Sequence, residues 1–101
     1  MPVKESLPSR ELPEESELRS ELEREIRSPG NAAEPLIVIE RPHADSIHLF
    51  AVWSKFESLE QYVRSRILLD AFEAARGKEE ALKVTVSMGL TPSEAKRMGI
   101  G

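Results

Sequence analysis

The sequence predicts a small α+β domain: a three-stranded mixed sheet covered on one face by helices. Three observations predict this class. Two short apolar runs separated by a polar turn indicate a β-hairpin, a long stretch of helical periodicity follows, and a third alternating run comes after it. The predicted element order is α-β-β-α-β-α. A crossover helix between the second and third strands predicts that these two strands are parallel.

Composition limits the function classes. The 101 residues suffice for one small domain, and 40% of them are hydrophobic. The net charge of −4 argues against free-standing DNA binding, which needs a basic footprint. The absence of Cys excludes disulfides, thiol nucleophiles and cysteine-held clusters. No apolar run approaches the roughly 20 residues of a membrane span, so we expect a soluble, cytoplasmic protein.

Residues 1–30 form an acidic arm, with eight Glu against five Lys or Arg and four of the seven prolines. This composition predicts a disordered tail at the start. A marginal helix is predicted at about 14–27, with Pro13 suited to its first turn. Its narrow apolar stripe leaves two interpretations open: light docking on the rest of the chain, or an interaction arm that folds on a partner. Residues 31–101 are predicted to form a single α+β domain.

The strands follow from short apolar runs. Four consecutive aliphatic residues bounded by Pro35 and Pro42 predict a short buried strand. The run Ile47–Trp53 is apolar on both of its faces, which favours a central strand. The segment 81–88 is ambiguous: alternating β-branched residues favour a strand, while its first residues would also extend a helix.

Two helices complete the prediction. The stretch 58–76 lacks Gly and Pro, and its apolar surface is wider than one stripe. This width predicts packing on the sheet and on something else, either the N-terminal helix or a second copy of the chain. A short final helix is predicted from Thr91 as N-cap, with Pro92 in its first position, Glu94 three residues after the cap and Gly99 at its end.

One segment resembles a known family. Phe56–Glu57 stands where a strand leads into a helix, Arg64 and Arg66 follow in the early helical turns, and Thr91–Pro92 follows the last strand. These residues and the element order resemble the BolA family, which has a type II KH-like architecture. The resemblance covers about residues 35–97 and implies the same fold.

The sequence departs from the family at positions that matter for chemistry. Ser58 stands where members usually have Gly, and Ser65 stands where they have His. The family's His before its last strand, implicated in sharing an iron–sulfur cluster with a glutaredoxin, has no counterpart in residues 79–82. We therefore expect no cofactor. A Gly-x-x-Gly loop, with which KH domains clamp nucleic acid, does not join helices in this sequence.

Two arginines and a tryptophan are candidates for partner binding. Arg64 and Arg66 lie about 200° apart on a helix and cannot form one clamp. The favoured hypothesis pairs them within the helix, with Glu60 and Asp70, and the alternative anchors a partner's carboxylate or phosphate. Trp53 is expected in the core, with an exposed binding hot spot as the alternative.

These observations predict a non-catalytic protein-interaction or regulatory module that binds a protein partner or a second copy of itself. The alternative is a KH-like nucleic-acid-binding domain. No catalytic constellation, metal site, membrane contact or small-molecule substrate is predicted, since the only two histidines stand among scattered carboxylates. The candidate partner-binding residues are Trp53, Arg64, Arg66, Leu68, Phe72 and His43.

Overall fold

The computed structural model describes residues 13–100 and confirms the predicted α+β class and element order, with one short helix added. The predicted disordered tail falls on residues 1–12, outside the described residues. Within 13–100, none of the helices combines the length and apolar character needed to cross a membrane. The elements are α1 (Pro13–Arg27), β1 (Leu36–His43), β2 (Ser46–Val52), a 3-10 turn (Ser54–Phe56), α2 (Gln61–Arg76), α3 (Lys78–Ala81), β3 (Val84–Leu90) and α4 (Pro92–Met98).

The sheet has β2 in its centre. β1 pairs with β2 in antiparallel register, with Val38 opposite Phe50, and β3 pairs with β2 in parallel, with Met88 opposite Phe50. The hairpin and the parallel crossover are both as predicted. A β-strand alternates its side chains, so the even-numbered and odd-numbered residues of β2 lie on opposite faces of the sheet.

The main core lies between the sheet and the two long helices. Phe72 of α2, Leu49 of β2 and Leu22 of α1 are fully buried there. α1 and α2 therefore cover one face of the sheet, as predicted, whereas α4 packs on the opposite face, contrary to the prediction that the helices lie on one face only. The buried members of this core are Leu22, Ile26, Ile47, Leu49, Ala51, Trp53, Phe56, Ile67, Leu68, Ala71 and Phe72.

α1 packs along α2 and shares this core. Leu22 is fully buried and Ile26 is 4% exposed. Polar contacts run beside this apolar stripe: Arg66 to Glu15 (2.6 Å), Lys55 to Glu21 (3.2 Å), and the Arg27 guanidinium to the Ala74 carbonyl oxygen (2.6 Å). α1 therefore covers part of the wide apolar surface that the sequence predicts for α2.

α2 begins later than its periodicity suggests. The predicted start was Ser58, but the helix begins at Gln61, and Glu60 before it has an extended backbone. Residues 58–60 belong to the irregular turn that follows the 3-10 turn, in which Phe56 is completely buried. Burial of one aromatic ring at the end of β2 thus delays the helix by three residues.

The ambiguous segment resolves as a strand. α2 ends at Gly77, whose φ of +96° is a conformation that glycine adopts readily. One further helical turn, Lys78–Ala81, precedes β3. The strand then runs over Val84–Leu90, two residues beyond the predicted end, because its last residues continue the pairing with β2.

α4 packs on the other face of the sheet, at one end. Its start is as predicted: Thr91 accepts from the Glu94 amide, and the Glu94 side chain accepts from the Thr91 amide. Gly99 ends it with a φ of +73°. Ala95 is buried against Leu90 and forms a second, smaller apolar cluster there.

Candidate interaction surfaces

Arg64 forms a buried junction inside the chain. It is 6% exposed, and its Nε donates to the Leu59 carbonyl oxygen (2.8 Å). Its Nη1 donates to the Gly89 carbonyl oxygen (3.2 Å) and to Glu94 Oε1 (2.8 Å). The hypothesis of a pair with Glu60 was wrong, because the fold brings α4 close enough to supply the acid instead.

The polar contacts around Arg64 join α2 to β3. Gln61 Nε2 donates to the Gly89 carbonyl oxygen (2.9 Å), and the Gly89 amide donates to Gln61 Oε1 (3.0 Å). One turn further along, Ser65 Oγ donates to the Ser87 carbonyl oxygen (2.6 Å). Three acceptors engage the guanidinium and the residue is 6% exposed, so a partner's anion has little access to it. Arg64 therefore holds the fold together.

Arg66 serves a similar purpose between helices. It lies 2.6 Å from Glu15 of α1, and the Glu15 side chain is only 12% exposed. The expected pairing with Asp70 was wrong, since a carboxylate 51 residues earlier in the chain occupies the guanidinium. The Arg66 side chain remains 44% exposed, so part of it is still accessible from solvent.

The pKa of Glu94 is lowered from the usual 4.5 of a glutamate, first by the Thr91 amide and next by the Arg64 guanidinium, because both stabilise the carboxylate. The lowered pKa means that this stabilisation is complete above about pH 4.5 and is lost as the pH falls through the folded-state value.

Glu94→Gln should therefore destabilise the protein by about 1–2 kcal/mol at neutral pH, because it leaves the buried Arg64 without a counter-charge. The difference from the unsubstituted protein should shrink as the pH falls below 4.5. Urea unfolding of both proteins at about pH 7 and about pH 3 measures the difference in the free energy of unfolding at each pH. Glu57→Gln, at an exposed position, is the matched control. A difference that stays constant with pH would contradict this assignment.

Two further carboxyl groups fasten the ends of β1. The pKa of Glu34 is lowered by hydrogen bonds from the backbone amide and then the hydroxyl of Ser54, both at 2.7 Å. The pKa of Glu80 is lowered by its hydrogen bond from Arg41 (2.8 Å). The first contact joins the loop before β1 to the 3-10 turn that follows β2, and the second joins β1 to α3. Both acids are half-exposed, so we assign them an orienting role only.

The other candidate residues separate into buried and exposed ones. Leu68 and Phe72 are fully buried in the main core. Trp53 is 3% exposed and packs edge-on against Phe56, with ring centroids 5.4 Å apart. A partner cannot reach the side chains of Leu68, Phe72 and Trp53 without opening the core. His43, at the end of β1, is exposed.

The sheet face opposite α1 and α2 is the surface that sequence reasoning missed. Strand register places three rows of side chains across it. α4 covers only one end, where Ala95 and Ile100 contact the apolar cluster. We call this surface the open face. Its rows are Leu36, Val52 and Leu90; Val38, Phe50 and Met88; and Glu40, His48 and Val86.

The open face is apolar and partly accessible. Leu36 is 41% exposed, and Val38, Val86 and Met88 are half-buried. Met98 of α4 is 52% exposed and lies three residues after the sheet-facing Ala95, on the same side of the helix. The sequence did contain a signal, since both faces of β2 are apolar. Which face the helices cover was not readable from it.

The described geometry defines a small α+β protein with a three-stranded mixed sheet and one incompletely covered face. No family model, no curated protein and no solved structure matches the chain. The resemblance to the BolA family therefore stays a prediction. Within residues 13–100, no three His, Cys, Asp or Glu side chains meet in an arrangement that could hold a metal ion.

Proposed function

We propose that the chain is a non-catalytic, cytoplasmic protein-interaction module that binds a protein partner through the open face. The observation that carries this proposal is the row Val38, Phe50 and Met88, which crosses all three strands. Among residues 13–100, α4 packs over one end of the face, and no other helix covers the remainder. Contiguous apolar surface of this kind is typical of protein-protein contact sites.

The distribution of charge supports a protein partner. Glu40 and His48 border the apolar row, as a polar rim borders the centre of an interface. The three rows contain neither Lys nor Arg, which gives the nucleic-acid alternative less support. On the helical side, α1 already covers part of the apolar surface of α2. The open face thus remains as the docking surface.

We also propose that the domain is BolA-like. The support is Phe56, which lies buried in the turn between β2 and α2, together with Arg64 and Arg66 in the first turns of α2. This part of the proposal concerns the fold and assigns no cluster chemistry to the chain.

Val86→Lys combined with Met98→Asp should weaken partner binding about tenfold or more, because charges then stand at both ends of the apolar surface. A lysine on an edge strand keeps its stem on the sheet, so the free energy of unfolding should change by no more than about 1 kcal/mol. Affinity capture from the protein's own cells, quantified by mass spectrometry, measures partner binding. Light scattering over a concentration series measures self-association.

Tyr62→Asp is the matched control, since Tyr62 is 68% exposed and lies on α2, away from the open face. Loss of one captured protein in the double variant alone supports the proposal. Loss of a concentration-dependent dimer in that variant identifies the partner as a second copy. The proposal is wrong if both variants behave alike, or if the unsubstituted protein is a monomer that captures nothing.

A further inference from the structure

A cleft of about 260 Å³ lies at the outer edge of β1, on the helix-covered side of the sheet. The end of α1, the loop after it and the end of α2 form its other walls. Ile26, Ile37 and Ile39 make its floor apolar, and Glu25 and Arg76 are its two charged lining residues.

Arg76 supplies a cation that has no counter-charge among residues 13–100. It is exposed at the end of α2, and its guanidinium lies 5.8 Å from the centre of the Phe72 ring. It forms no ion pair with the residues that the structure describes, whereas Arg41, for example, is paired with Glu80. An arginine held over a ring at the rim of an apolar cleft presents a fork of donors that fits a carboxylate.

Glu25 is the negatively charged residue of the cleft, and a hydrogen bond fixes the position of its carboxylate. Its Oε2 accepts a hydrogen bond from the Gly30 amide (3.1 Å), which holds the carboxylate toward the loop after α1. Glu25 repels an anion and Arg76 attracts one, so an anionic head group is expected to pair with Arg76.

We propose that this cleft binds a small amphiphile that carries a carboxylate on a short aliphatic chain. The chain lies on the isoleucine floor and the carboxylate pairs with Arg76. The cavity is slightly smaller than ligand pockets of roughly 300–1,000 Å³, which favours a single short chain over a larger molecule. This site lies on the helix-covered side of the sheet and shares only Leu36, at the sheet edge, with the open face.

Octanoate, kept below the concentration at which it aggregates, is the probe for this site, with 1-octanol and octylamine as chain-matched comparisons. Calorimetric titration of the full chain should show saturable octanoate binding that is at least about tenfold tighter than that of either comparison, because only octanoate pairs with the guanidinium. Arg76→Gln should remove this preference.

Two variants locate the binding. Ala32→Trp fills the cleft from an exposed lining position and should abolish octanoate binding without unfolding the protein. Arg97→Gln, at an exposed position of α4, should bind octanoate as the unsubstituted protein does.

The proposal is overturned if octanoate does not saturate, if octanol binds equally well, or if Arg76→Gln leaves the affinity unchanged. The double variant Val86→Lys, Met98→Asp should retain octanoate binding. Failure of the open-face proposal can therefore be distinguished from failure of the cleft proposal.

Discussion

Gly89→Ala is expected to lower the free energy of unfolding by about 3 kcal/mol, at the upper end of what overpacking usually does. A Cβ at this position would lie 2.7 Å from Arg64 Cβ and 2.7 Å from Phe56 Cε2. Neither neighbour has room to move: Phe56 is fully buried, and Arg64 is held by three acceptors. The strand backbone is fixed as well, by the paired hydrogen bonds with Gln61.

Urea unfolding followed by circular dichroism measures this loss. Gly30→Ala is the control, because its Cβ would meet only Glu25 Oε1, at an ordinary 3.7 Å, and its effect should stay within about 0.5 kcal/mol. Adding Phe56→Leu to Gly89→Ala should recover part of the loss, since it removes the clashing Cε2 atom. Equal stability of the two alanine variants would show that α2 and β3 are further apart than described.

Leu22→Ala is expected to lower the free energy of unfolding by about 3 kcal/mol, within the range for a fully buried leucine. Leu22 has no exposed surface and lies in one apolar cluster with Leu68 and Phe72 of α2. Truncation leaves a cavity between the two helices, and the acidic surface of α1 provides nothing to fill it. In the polar contacts beside the stripe, Lys55 and Arg66 keep about half of their side-chain surface exposed, so these contacts compensate for little.

Hydrogen exchange of the α1 amides tests the same contact locally. In Leu22→Ala these amides should exchange faster, because the helix loses its largest apolar anchor. Ser20→Ala, at an exposed position of the same helix, should change neither exchange nor stability. A Leu22→Ala protein as stable as the Ser20→Ala protein would show that α1 does not pack on α2 in solution.

The elements themselves were predictable because their signals are local. The final helix follows from Thr91 and Glu94, whose reciprocal hydrogen bonds are made within one turn. The hairpin follows from two apolar runs around a short polar turn, and the long helix follows from its periodicity. Each signal acts over a few residues. Tertiary contacts changed only where some helices and strands begin and end. The start of α2, for example, is delayed where Phe56 is buried.

The partners of the two arginines were not predictable. Helical spacing offered Glu60 and Asp70, each one turn away, and both would have given only a few tenths of a kcal/mol. The folded chain offers partly desolvated acids instead, Glu94 to Arg64 and Glu15 to Arg66. A desolvated pair outweighs an exposed one, and its members come from elements that are distant in sequence.

The sequence by itself determined the order of the helices and strands, the hairpin and the cap of α4, because periodicity and capping act between near neighbours. Only the tertiary structure decided that α1 covers α2, that Arg64 is bound inside the fold and that one sheet face stays open. Those outcomes depend on how the elements pack in three dimensions. Both faces of β2 are apolar, so the sequence pattern alone could not distinguish the covered face from the open one.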